Sequence, residues 1–376
     1  MAEGDTRLAA NRIKAARAAS AVIFLLLGSA AFAADGWVMF KGQVNGPVRN
    51  PAGIDLSSFQ HRRYPGIFWS EAYYHQMIFS DGSVITVQFT FNVLEATIIF
   101  AHAKSGTEPF TEFLVMDIDE VKFDDQGFGI SMGRNRVWLD GKKYHLELDF
   151  NRVKARIDYD ILGPSCSWGD GMIRYPDGKS FGYYVWPITR AKAGMKAGIN
   201  GREYDLEGFG NMNHDAQSLS PLYAPANWQA FWFFGEDHAL AIADFYTSKH
   251  FGEVLTQRLV FVDKQGNMFA SSNFPIKWDD WAELKDIRFR YPRHYRLSAE
   301  GGGARLEVEA HNREYMLLKD LFGNLPGALR PVAKRFTRNG WTVDCMSDYI
   351  LTYRVQGKTL TYKGLGMVRW TNLEEN

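Results

Sequence analysis

The chain has 376 residues, with 43 basic and 43 acidic side chains, so its formal charge is zero. That balance excludes the basic footprint of a nucleic-acid binder and the polybasic patch of an anionic-membrane reader. The length exceeds what one ordinary core holds and suits two domains.

In chain order, the first predicted element is an export signal. Arg7, Arg12, Lys14 and Arg17 precede an apolar run from Ala18 to Phe32, and Ala31-Phe32-Ala33 follows as a small-x-small cleavage pattern. The apolar run is about 15 residues, short of the roughly 20 that span a bilayer. Residues 1–33 are therefore expected to be a cleaved signal peptide and the mature chain to be periplasmic or otherwise exported. The alternative is an uncleaved, membrane-anchoring segment. Cleavage removes two acids and four bases and leaves a mature charge of about −2.

The body reads as strands and turns. The whole chain is 15% aromatic and carries 35 glycines. Asp81-Gly82, Asp140-Gly141, Asp177-Gly178, Asn200-Gly201 and Asn339-Gly340 supply the positive φ angles that tight hairpins need. Between them the apolar period is two. Tyr144, Leu146, Leu148 and Phe150 alternate with His145, Glu147 and Asp149, and Val153, Ala155, Ile157 and Tyr159 alternate with Lys154, Arg156 and Asp158. Further strands are predicted over 67–79, 84–93, 97–104, 112–123, 181–189 and 202–208. In the second half they fall at 228–234, 239–246, 254–263, 287–297, 304–309, 341–353 and 359–369. Only Tyr315–Phe322 and Ala328–Phe336 read as helical. Many short strands at regular spacing indicate sandwiches or barrels, and a barrel of about eight strands can hold one small apolar ligand. Pro187 and the Ala191–Gly201 stretch interrupt the pattern, which puts the expected domain boundary at 190/191.

The motif search narrows the chemistry. No HExxH, CxxC, GxGxxG, P-loop or Gly-x-Ser-x-Gly pattern occurs, and the nine histidines show no pairing at the two-residue spacing of a strand face. No metal and no cofactor is expected. Asp117 and Asp119 have the spacing of a solvated strand face. The run Arg288–Arg296 interleaves bases with aromatics, which suits an exposed strand with Phe289, Tyr291 and Tyr295 inward. Cys166 and Cys345 are compatible with a bridge or with two buried thiols.

One segment concentrates hydrogen-bonding groups: Glu207-Gly208-Phe-Gly210-Asn211-Met-Asn213-His214-Asp215-Ala-Gln217. It reads as a polar loop after a strand, a common place for function. Downstream, Trp228-Gln-Ala-Phe-Trp232-Phe-Phe234 is strongly aromatic. In Leu240-Ala-Ile242-Ala-Asp244 the period places Asp244 among apolar neighbours, where a carboxyl must find a partner or raise its pKa.

Phe181-Gly-Tyr-Tyr-Val-Trp-Pro187, followed by Ala193-Gly194 and Gly201-Arg-Glu-Tyr204-Asp-Leu-Glu-Gly208-Phe-Gly-Asn-Met-Asn-His214, resembles the AttH/hydroxyneurosporene synthase superfamily of carotenoid 1,2-hydratases. Ser70-Glu71-Ala-Tyr-Tyr-His75-Gln, with Asp81-Gly82 and Trp228–Phe234, is similar to its fungal survival-factor branch. The resemblance implies an all-β fold of two lipocalin-like (calycin-type) antiparallel β-barrels in tandem, placed here at 34–190 and 191–376. It implies a hydrophobic small molecule, a lipid or isoprenoid, as partner, either carried or hydrated by acid catalysis. The survival-factor branch adds oxidative-stress tolerance, and peripheral membrane association is compatible with either role. The superfamily's histidine, aromatic and aspartate positions match His214, Trp232 and Asp244. The implied catalytic residues are Asp244 as acid with His214, and the implied ligand-binding residues are Trp232, Asn211, Asn213, Trp228 and Phe234. The superfamily turn Asp-His-Asn/Ser-Trp-Gly is here Asn213-His214-Asp215-Ala216-Gln217, which lacks the tryptophan and the final glycine.

Overall fold

The computed structural model describes residues 47–49, 54–62, 69–124, 127–174, 181–218, 225–247, 255–321 and 340–372. The export signal, the Asp177-Gly178 turn and the Ala328–Phe336 helix lie outside them. Among the described residues no helix is long and apolar enough to cross a membrane.

A first, 13-stranded antiparallel sheet contains β1 (Pro47–Arg49), β2 (Ser70–Phe79), β3 (Ser83–Asn92), β4 (Glu95–Lys104), β5 (Phe110–Asp117), β6 (Val121–Phe123) and β7 (Gly129–Met132). It continues through β8 (Asn135–Asp140), β9 (Lys143–Phe150), β10 (Val153–Ile161), β11 (Cys166–Arg174), β12 (Phe181–Ile199) and β13 (Arg202–Gln217). A second, 9-stranded sheet contains β14 (Pro225–Phe234), β15 (His238–Thr247), β16 (Leu255–Asp263), β17 (Met268–Ser271) and β18 (Ile276–Leu284). Its remaining strands are β19 (Phe289–Gly301), β20 (Ala304–Asp320), β21 (Trp341–Val355) and β22 (Lys358–Asn372). Each sheet curls back by pairing an early strand with its last: β2 with β13, and β14 with β22. The result is two barrels, each filled by side chains of alternate residues.

Local chemistry sets these strands. Asn200 and Gly201 take φ of 49° and 78°, the geometry of a two-residue hairpin between β12 and β13. From Phe289 on, the Arg288–Arg296 run lies in β19, with Phe289, Tyr291 and Tyr295 buried. Cys166 and Cys345 are both buried and unbridged.

Three expectations are corrected. Pairing within the first sheet runs to Gln217 and the second sheet starts at Pro225, so 190/191 falls inside β12. The strand tolerates Pro187 because its register with β13 slips between Val185 and Ile188 and again before Ala191. Tyr315–Asp320 belongs to β20 and is not helical. Irregular register on either side of Glu314 and Tyr315 lets the adjacent Met316 and Leu317 both be buried, which imitates a helical pattern. The segment 207–217 is the second half of β13, not a loop. Its Gly210 serves packing: a Cβ there would meet the Tyr159 ring at 2.8 Å and the Gln76 carbonyl at 2.9 Å.

Candidate functional site between the two barrels

Because β13 is a strand, its polar residues divide by parity. Met212 and His214 face the interior of the first barrel, while Asn211, Asn213 and Asp215 share the outer face. That wall packs against the outer wall of the second barrel. Val84, Ile99, Ala101 and Ala103 of β3 and β4 meet Trp232, Met316, Leu317, Met346 and Met367 in one buried cluster. A second apolar cluster joins Cys166 and Trp186 to Ala241, Val260 and Val262.

Polar groups occupy the same seam. The Arg369 guanidinium of β22 makes a bidentate pair with Asp344 of β21, at 2.6 and 2.7 Å. It also lies 5.1 Å from the Tyr74 ring of the first barrel and 5.4 Å from the Trp232 ring of the second. Arg258 of β16 stands 5.6 Å from the ring of Tyr184 on β12. Across β12, β13 and β2 the pairing aligns Tyr184, Asp215 and Ala72, and the next row aligns Asn213 with Tyr74.

The first barrel's share of this wall is under-bonded. Gln76 donates to Asn213 at 3.1 Å, yet Gln76 Oε1, Thr86 Oγ1, both polar atoms of the Gln88 amide, Asn211 Oδ1 and Asp215 Oδ1 are buried without hydrogen-bond partners. Trp232 Nε1 is in the same state on the opposite wall. Each such group costs on the order of 1–3 kcal/mol, and native folds keep them few unless water or a ligand meets them. Burial pushes the Asp215 carboxyl up to about 7, with Arg369 acting against that and Glu71 adding to it. Burial and Arg369 push the Lys319 ammonium down to about 8. Two groups of opposite type thus titrate near neutrality beside one another's charge.

Of the residues expected in the site, Asn211, Asn213, Trp232 and Phe234 are buried on this seam, and alternation along β14 puts Trp228 on the same face as Trp232. His214 and Asp244 point elsewhere, each into a different barrel. His214 is fully buried in the first. Its Nε2 pairs with Glu71 Oε1 at 2.7 Å, its Nδ1 meets the Ser58 carbonyl at 2.8 Å, and its ring stacks on Tyr73 at 4.1 Å. Glu71 also accepts from Tyr73 Oη at 3.0 Å, from the Arg62 amide at 2.8 Å, and from His61. Burial opposes its charge, but the bonds from His214 and His61 outweigh that and bring it down to about 2. Asp244 lies inside the second barrel, where Gln257 donates to it at 3.0 Å and burial raises it to about 6. Beside it Gln229 Oε1 and Trp370 Nε1 are buried without partners. Asp215, Arg369, Tyr74 and Lys319 were missed as site residues. Asp215 lay within the polar segment but gave no signal of its own, and the others belong to strands far away in sequence.

Residues 70–338 match the model of the Svf1 family. No curated protein sequence matches. Among solved structures, kievitone hydratase from Nectria haematococca superposes with a TM-score of 0.58 at 13% identity, covering 85% of this chain and 92% of that one. CghA with Sch210972 gives 0.60 at 14% identity, covering 90% and 99%. A structure from Nitrosomonas europaea carrying the AttH name gives 0.57 at 12% identity, covering 83% and 97%. These likenesses establish the fold, the paired lipocalin-like barrels that the resemblance implied.

Proposed function

The chain belongs to the Svf1 family, and on that premise we propose that it binds an apolar small molecule in the seam between its barrels and hydrates a double bond there by acid catalysis. The observation that carries this reading is Asp215: a carboxyl that holds its proton to about pH 7, with a buried and unpartnered Oδ1, in a wall of unpartnered amides facing apolar side chains. The substrate class is a lipid or isoprenoid with few polar groups, which the amides would orient. Asp215 gives its proton to one alkene carbon, and the cation forms on the other beside the rings of Tyr74 and Trp232. Water attacks the cation and returns a proton to the carboxylate, so the acid is regenerated. One structural neighbour is a hydratase, which supports chemistry over simple carriage, and another was crystallised with a small molecule.

The test is isotopic. Tag-free protein is incubated with a lipid extract of its own cells in ¹⁸O-labelled water, and the extract is searched for products carrying one added labelled water. Wild type should form such a product, and Asp215→Asn should not while still retaining lipid in native mass spectrometry. A retained lipid with no labelled product in wild type would reject the hydratase and favour a carrier, a reading the Met316, Met346 and Met367 floor also suits. The second candidate acid is Asp244, and loss of product in Asp244→Asn with none in Asp215→Asn would move the site into the second barrel. The order of basic, apolar and small residues over 7–33 supports export, and amino-terminal sequencing of the mature protein should then begin at Ala34.

A further inference from the structure

Away from the seam, on the outer wall of the second barrel, two histidines 17 positions apart in the chain lie directly opposite each other on β19 and β20. We propose that His294, His311 and Glu309 form a binding site for a divalent transition metal of the zinc class. Their ligand atoms all lie within 4.8 Å of one another. His294 Nε2 is 2.9 Å and His311 Nε2 3.6 Å from the same Glu309 Oε1. Ligand atoms around a tetrahedral zinc with bonds of ~2.05 Å stand about 3.3 Å apart, and these two distances bracket that spacing. The imidazoles are parallel within 8° at 4.1 Å, so a modest swing of the more exposed His311 ring brings both lone pairs onto one ion.

The outer support of the site is also present. His294 Nδ1 is held at 2.7 Å by Asp279 Oδ1 on the neighbouring β18, and Asp279 Oδ2 is fixed in turn by Arg296 at 2.7 Å. A carboxylate on the far nitrogen orients a metal-binding imidazole and raises its basicity, and losing such a partner typically weakens metal binding 10–100-fold. Two imidazoles and one carboxylate suit zinc, nickel or copper rather than calcium or magnesium, and three protein ligands leave a fourth position for water. Three adjacent strands therefore supply ligands or support to one point.

Tag-free protein titrated with Zn²⁺ against a chromophoric indicator should bind one equivalent saturably. His311→Ala should weaken that binding at least tenfold, and Glu309→Gln and Asp279→Asn each about tenfold. His311 is exposed, and an unchanged unfolding midpoint without zinc confirms that its variant is folded. Zinc should raise the midpoint of wild type and leave that of His311→Ala where it was. Absence of saturable binding in wild type, or equal affinity and stoichiometry in His311→Ala, would overturn the site.

Discussion

The interior of the first barrel and the wall just outside it differ by one residue of β13 and by opposite bonding states. Facing inward, His214 has both ring nitrogens engaged, and Glu71 accepts from four donors. Facing outward, Asn211 and Asp215 keep buried oxygens with no partner. A saturated network holds a fold together, whereas an unsaturated one leaves groups that water or a ligand can meet. The histidine that gives the segment its family likeness thus sits in the saturated network, and its neighbour Asp215 faces the under-bonded wall.

The contrast can be broken from the inside first. Glu71→Ala leaves His61, His214 and the Arg62 amide without their shared acceptor and should cost about 3–5 kcal/mol in urea unfolding. A loss below about 1 kcal/mol would show the network to be ornamental. Gly210→Ala acts at the boundary between the two halves. Its Cβ would push on Tyr159 and the β2 backbone, and about 1–3 kcal/mol should be lost by the same measurement.

Titration sharpens the difference further. The Glu71 carboxyl, at about 2 when folded, adds stability above its ordinary pKa near 4.5 and loses it as pH falls through 2. His75, buried and held near 4, removes stability as pH falls below 6.5. Asp215 works in the other direction. Its folded value near 7 favours the folded state only while protonated, so its contribution fades as pH rises from about 4 through 7. The smallest effect belongs to Asp215→Asn in acid. Below about pH 4, where the carboxyl is protonated folded and unfolded, it should change stability by about 0.5 kcal/mol or less, and the variant should become progressively the more stable protein as pH rises from about 4 through 7. A variant that instead loses stability at every pH would place Asp215 among the structural residues.

How far the sequence reaches follows from the same parity. Alternation along one strand is local, so it revealed the strands, the inward Phe289, Tyr291 and Tyr295, and the burial of Asp244 beside Leu240 and Ile242, while the barrels came from the family resemblance. Polar and aromatic composition, with the family resemblance, marked Asn211, Asn213, Trp232 and Phe234 without showing that they share a wall. Which wall meets which is set by packing between sheets, so Arg369 and Tyr74 could not be matched by eye. Pairing between strands is equally hidden: His294 and His311 have no i, i+2 relation, and only the register of β19 with β20 brings them together. Bulges defeat the pattern in another way, because Met316 and Leu317 are buried side by side where strict alternation would expose one.

The closure of each sheet, an early strand against its last, also sets a timetable for synthesis. The first barrel can seal as soon as residue 217 has left the ribosome, since β13 then meets β2. The second must wait for Lys358–Asn372, because β22 is both the closing neighbour of β14 and the bearer of Arg369. Until that strand arrives, β14 shows an open edge rich in tryptophan and phenylalanine. The finished first barrel already presents the wall against which Trp232 and Phe234 will pack, so the chain carries its own template for the half that folds last.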